Sequence, residues 1–164
     1  MRVEKQSTIR ASSLDVWNQL WNVQKLIRYI PGVEDVQSLE EGKHYAARVG
    51  DKVGPFQVSF NLDILVDSNE QGRSIQVKVS GKDGRFASTL HQVIDIQLTD
   101  AAPGATDLAI ITEISILGKL GSLGDALIRT KATAALANFL ENLRNDIEAG
   151  QGTLSVELAD LSGL

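Results

Sequence analysis

The chain has 164 residues, 43% of them hydrophobic and 23% charged, which is enough for one domain with a real core and ordinary for a globular protein. It has no cysteine and a formal charge of −5 with scattered Lys and Arg, so a disulfide framework and a thiolate site are excluded and nucleic acid is not an expected partner. No stretch reaches the ~18 continuous apolar residues of a membrane span, and Met1 to Lys5 lacks the apolar core of a secretion signal, so a cytoplasmic location is expected.

Taken in chain order, Arg2 to Ala11 reads as a first strand with Val3 and Ile9 on one face. Ser12 and Asp15, three residues apart, form a capping box before a helical face of Val16, Trp17, Leu20 and Trp21. Val23 to Ile30 predicts a second short helix, stopped by Pro31-Gly32. From Val33 the apolar period changes to two. Strands are expected over Val33 to Leu39 and His44 to Val53, with Gly54-Pro55 breaking the run. Phe56, Val58, Phe60, Leu62, Ile64 and Val66 then alternate with polar residues, Leu65 being the exception. Such alternation describes a strand with one buried and one wet face. Further strands are expected at Ile75 to Val79, Phe86 to Leu98 and Leu108 to Ile116. The inner side of the second of these takes Leu90, Ile94, Ile96 and Leu98.

The last segment, Gly118 to Ile147, is a long helix on its periodicity. Ile128, Ala132, Ala135, Leu136, Phe139, Leu143 and Ile147 recur at spacings of three and four. The order is therefore one strand, two short helices, six strands and one long helix. Short connections between strands and segregated helices argue for an α+β fold: a curved antiparallel sheet of about seven strands, β-α-α-β6-α, wrapped around the C-terminal helix. Residues 1–148 form the expected single domain and 149–164 a C-terminal tail without Lys or Arg, which gives it no attraction to anionic lipid.

The order, with these residues, resembles the SRPBCC or START-like helix-grip superfamily, and within it the family of the carbon monoxide dehydrogenase G subunit. The resemblance rests on Ala11 to Trp17 at the first helix start, Ile30-Pro31-Gly32-Val33-Glu34, Val53-Gly54-Pro55-Phe56, and Gly118-Lys119-Leu120-Gly121-Ser122-Leu123-Gly124 entering the last helix. It covers roughly residues 2–148. It implies an apolar cavity between sheet and helix that holds a lipid-like or other hydrophobic small molecule. It also implies an accessory role, in maturation or membrane recruitment of a partner oxidoreductase, with peripheral membrane contact.

On that expectation, the inward strand positions Phe60, Leu62, Val77, Val79, Phe86 and Leu90 face Leu127, Ile128, Ala135 and Phe139 of the helix, with Trp21, Leu26 and Tyr29 near one end. The alanine-rich helix favours open space, because larger side chains would fill it. His91 is the candidate polar contact, its strand crossing the middle of the expected cavity. Gly118, Gly121 and Gly124 form either a gate beside the mouth or a point of close backbone packing. Gly-x-x-Gly-x-x-Gly is not the dinucleotide fingerprint, and neither histidine has a partner at metal-ligand spacing, so no metal and no cofactor are expected.

A non-enzymatic binder of a lipid- or quinone-like molecule is the main reading. The alternatives are a polyketide-cyclase or dehydratase-like enzyme on the same fold, with His91 and Tyr29 or Glu113 as its acid–base cast, and a ligand-free protein-assembly module.

Overall fold

The computed structural model describes residues 1–70 and 72–162, with side chains outside 68, 69 and 151–162. Strand β1 (Arg2–Ile9) leads through Ala11 into helices α1 (Ser13–Leu20) and α2 (Val23–Ile27). Strands β2 (Val33–Glu40), β3 (His44–Val53), β4 (Phe56–Glu70), β5 (Ser74–Asp83), β6 (Ser88–Ala102) and β7 (Ala105–Leu117) follow. A short 3-10 helix (Lys119–Leu123) then precedes α3 (Asp125–Ser162).

The sheet is one antiparallel layer in the order β1-β7-β6-β5-β4-β3-β2. Strands β2 to β7 form a continuous meander. The first strand closes against the last, Val3 opposite Thr112 and Ile9 opposite Thr106. Along β4 the alternation read from sequence is realised: Val58, Phe60, Leu62, Ile64 and Val66 are buried while their neighbours, Leu65 included, face outward. At α1 the capping box forms, the Asp15 N–H donating to Ser12 Oγ at 3.2 Å. This is the α+β helix-grip fold, with α3 held inside the sheet. Ile9, Val16, Leu20, Leu108 and Leu143, all almost fully buried, form the tightest part of the core where α1 meets β6, β7 and α3.

Several boundaries differ from the expected ones. Helix α2 ends at Ile27 rather than Ile30. The Arg28, Tyr29 and Ile30 N–H groups bond back only three residues, to Lys25, Leu26 and Ile27, because Pro31 disfavours a helical Ile30 and the chain must turn at Gly32. There a Cβ would meet Gly50 O at 2.0 Å, so the site admits only glycine. The segment between the strands expected to end at Leu98 and to begin at Leu108 is itself mostly strand, with the hairpin turning at Pro103-Gly104. The long helix starts at Asp125, not Gly118, and runs past Ile147 to Ser162.

Helix α3 is fastened along β1 at two points. Arg129 Nη1 donates to Arg2 O at 2.9 Å, and the Arg10 backbone N–H donates to Glu148 Oε1 at 3.0 Å. That backbone hydrogen bond is the main reason the Glu148 pKa lies below the usual glutamate value. Partial burial opposes it and the Arg10 guanidinium assists it. A carboxylate favoured in the folded state stabilises fully above the ordinary glutamate range, and its contribution is lost as pH falls through the depressed value. Glu148→Gln should therefore lower the melting temperature near pH 7, with the gap to wild type closing as pH falls below the ordinary glutamate range and through the depressed value. A gap of constant size across that range, measured by thermal denaturation, would refute the assignment.

Candidate functional site

Between the inner face of the sheet and the N-terminal half of α3 lies a cavity of about 510 Å³. Alternation puts every second residue of β4 to β7 on its wall, from Val58 through Val66 on β4 to Ile110 through Ile116 on β7. Ile128, Ala132, Ala135, Leu136 and Phe139 close it from α3. The small alanines leave the space. A volume of this kind lies within the usual range for small-molecule sites.

The mouth is marked by lining residues that are themselves exposed: Pro31, Asp51, Lys131, Ala134 and Asn138. It opens between α3 on one side and β3 with the α2–β2 turn on the other. Lys131 Nζ and Asp51 Oδ2 bridge one end at 3.5 Å, both side chains about half exposed. Further along α3 the Tyr29 hydroxyl donates to Asp146, and Lys25 Nζ lies 3.6 Å from the same carboxylate. Burial first, and then the hydrogen bond and negative charge of Asp146, raise the Tyr29 pKa above the ordinary phenol value. The hydroxyl therefore stays a donor across the physiological range.

Of the positions expected around the cavity, Leu26, Phe60, Leu62, Val77, Val79, Leu90, Ile128, Ala135 and Phe139 line it. Trp21, Tyr29, Phe86, Leu127 and His91 do not. Trp21 stacks edge-on against Trp17 at 5.6 Å, and Tyr29 meets Phe139 at 6.1 Å from outside the lining. Phe86 precedes β6 and packs on Phe56 at 5.0 Å, with Lys119 Nζ 5.7 Å from each ring. Leu127 covers Gly54 at the β3–β4 turn. His91 is exposed on the outer face, because it falls between the inward residues Leu90 and Gln92.

The three glycines lie apart from the lining. A Cβ at Gly118, whose φ is +88°, would meet Ala87 O at 2.2 Å, and one at Gly121 would meet Ile116 O at 2.5 Å. Between them Leu120 is buried and its N–H donates to Ser88 Oγ at 2.9 Å. Close packing accounts for Gly118 and Gly121, and the mouth lies elsewhere. Ser122 Oγ donates back to Lys119 O at 2.6 Å.

Two polar residues outside the expected set sit in the wall. Gln92 Nε2 donates to Thr112 Oγ1 at 2.9 Å, and Thr112 is only 3% exposed. Strand parity is the signal that finds them, since Gln92 is two residues from Leu90 and Ile94, and Thr112 two from Ile110 and Ile114. The acid–base cast considered for an enzyme is dispersed. Glu113 faces outward beside the N-terminal amine at 3.9 Å, His91 is on the outer face, and Tyr29 is engaged with Asp146. His44 pairs with Asp63 at 2.5 Å on that outer face. Among the described residues, no group of three or more His, Asp or Glu is placed to hold a metal, and no helix is long and apolar enough to cross a membrane.

A model of one protein family, that of the carbon monoxide dehydrogenase G subunit (CoxG), matches residues 6–148. The chain belongs to the CoxG family. All the cavity residues of this CoxG-family protein, from Leu20 to Phe139, lie within the matched span. No curated protein sequence matches it. Among solved structures it is similar to a conserved protein from Geobacillus kaustophilus, with TM-score 0.80 at 17% identity over 91% of this chain and 96% of that one. It is also similar to a START superfamily protein from Mycobacterium smegmatis, with TM-score 0.67, 12% identity and coverage of 90% and 97%. The Zhui aromatase/cyclase from Streptomyces sp. R1128 matches with TM-score 0.64, 18% identity and coverage of 90% and 93%. At these identities the likeness establishes a shared fold, one used by START proteins and by aromatase/cyclases alike.

Proposed function

We propose that this CoxG-family protein is a non-enzymatic carrier that holds a lipid- or quinone-like molecule in the cavity beneath α3. In this reading it serves as a maturation or membrane-recruitment accessory of an oxidoreductase of the carbon monoxide dehydrogenase type. The observation that carries the reading is the cavity itself: about 510 Å³, walled by aliphatic and aromatic side chains and open at one flank of α3. Affinity would come from burying ligand surface, at about 25 cal/mol per Å². General acid–base chemistry needs groups that exchange protons near neutrality. The ionisable side chains of the lining are Asp51 and Lys131, paired with each other at the rim.

Native mass spectrometry of the purified protein tests the carrier reading. The expected spectrum shows an added mass that leaves on denaturation and partitions into organic solvent. A bare polypeptide mass, together with no uptake of a phospholipid or quinone probe, would overturn it. The accessory role predicts that tagged protein, isolated from cells that make such an oxidoreductase, retains that enzyme, identified by its own mass and activity.

A further inference from the structure

The polar pair on β6 and β7 sets a requirement on whatever enters. On the inner face, Gln92 stands between Val79 and Ile114, and Thr112 between Ile94 and Val3. Apart from this pair, the wall around them is hydrocarbon. The Gln92 amide donates to the Thr112 hydroxyl. That leaves a second amide N–H, the amide oxygen and the hydroxyl proton without partners among the described residues. With the amide turned over, the hydroxyl would donate to the amide oxygen and both amide protons would be left. In either arrangement two donors face the cavity unspent. Replacing such a pair by apolar groups of the same shape is close to neutral or stabilising, so packing alone gives no reason for it.

We infer that Gln92 and Thr112 form a polar anchor that selects a neutral hydrophobic ligand carrying an acceptor oxygen, a ketone, ester or quinone carbonyl. This rests on the carrier reading and narrows it. The ligand is neutral because the wall holds one cation, Lys131, which is already paired with Asp51 at the half-exposed rim. A carboxylate at the anchor would be buried without a counter-charge, at high cost. A plain hydrocarbon would bury the anchor's donors unpaired, a penalty that sites built around a hydrogen bond turn into discrimination.

The test uses the full chain and two probes of one shape: the naphthyl ketone prodan and its analogue with the ketone reduced to a methylene. Wild type should bind prodan about tenfold more tightly than the methylene analogue, and bound prodan should show the red-shifted emission of a hydrogen-bonded carbonyl. The double variant Gln92→Met, Thr112→Val should lose the preference and shift that emission to the blue, while Thr112→Ser, which keeps the hydroxyl, should retain both. Thermal denaturation checks that each variant folds. Equal affinity of wild type for the two probes overturns the anchor while leaving the carrier. Unaltered preference in a folded double variant also overturns it. Failure of both probes to bind wild type removes the carrier reading, and the anchor with it.

Discussion

Leu90→Lys should abolish ligand binding without unfolding the protein. Leu90 lies on the inner face of β6 opposite Gly81 and Ile116, and its side chain forms part of the cavity wall. A lysine there either places an ammonium against hydrocarbon or stretches its four-carbon stem through the cavity towards water. The first excludes an apolar ligand by charge and the second by volume. A loss of at least ~100-fold in affinity for a hydrophobic fluorescent probe is expected, about 2.7 kcal/mol. Ala135→Phe provides the uncharged counterpart from the α3 side. It should weaken binding while raising stability by about 0.5–2 kcal/mol, as cavity-filling changes do. Opposite signs in the two readouts distinguish an occupied hollow from a solid core. Full probe affinity in both variants would move the site elsewhere.

The largest stability loss is expected from Asp83→Ala. This carboxylate, in a residue 3% exposed, accepts three backbone N–H groups: Ser59 at 2.8 Å, Arg85 at 2.8 Å and Phe86 at 3.1 Å. It thereby ties the β5–β6 connection to β4 and fixes where β6 begins. Alanine would leave three donors short of an acceptor in a partly buried corner. At about 1–2 kcal/mol for each such bond, the loss should reach roughly 3–6 kcal/mol, measured by denaturant titration. Asp83→Asn keeps one acceptor oxygen and should recover part of it. A loss below ~1 kcal/mol for Asp83→Ala would show that solvent replaces the carboxylate with ease.

The elements most legible in the sequence are those whose periodicity repeats many times. Along β4 five inward residues alternate without a break, and along α3 the stripe from Ile128 to Ile147 follows the helical period, so tertiary packing only has to accept what local pattern already specifies. Boundaries are harder. Phe86 reads as the first residue of a strand because it is aromatic and apolar, yet Asp83 captures its N–H and holds it in the preceding turn. Tyr29 reads as a cavity residue if its helix extends to Ile30. The shortened α2 instead delivers its hydroxyl to Asp146.

The cavity's polar feature is hidden for a different reason. Residue type favours His91, since histidine titrates near neutrality. Position in the pleat favours Gln92, since side chains alternate strictly across a strand. Where a strand's inner face is set by flanking aliphatics, the polar residue sharing their parity is the one that faces the cavity. Asp83 has no such signature, because its role depends on three backbone groups brought to it by two different segments.

The two long flanks of α3 are fastened unequally. Along β1 the bonds include backbone atoms, Arg2 O and the Arg10 N–H, and the helix packs against that strand. Across the cavity the ties are the exposed Lys131–Asp51 and Lys25–Asp146 pairs and the Tyr29 hydroxyl, and exposed ion pairs contribute at most about 1 kcal/mol each. The helix is therefore built like a shutter with a stiff spine and a light catch. If the cavity holds cargo as proposed, parting that one seam would load or release it while the β-ladder and the spine stay intact. Raising ionic strength should weaken the exposed Lys131–Asp51 and Lys25–Asp146 pairs of the catch while the Arg129 bond to Arg2 O on the spine stays in place.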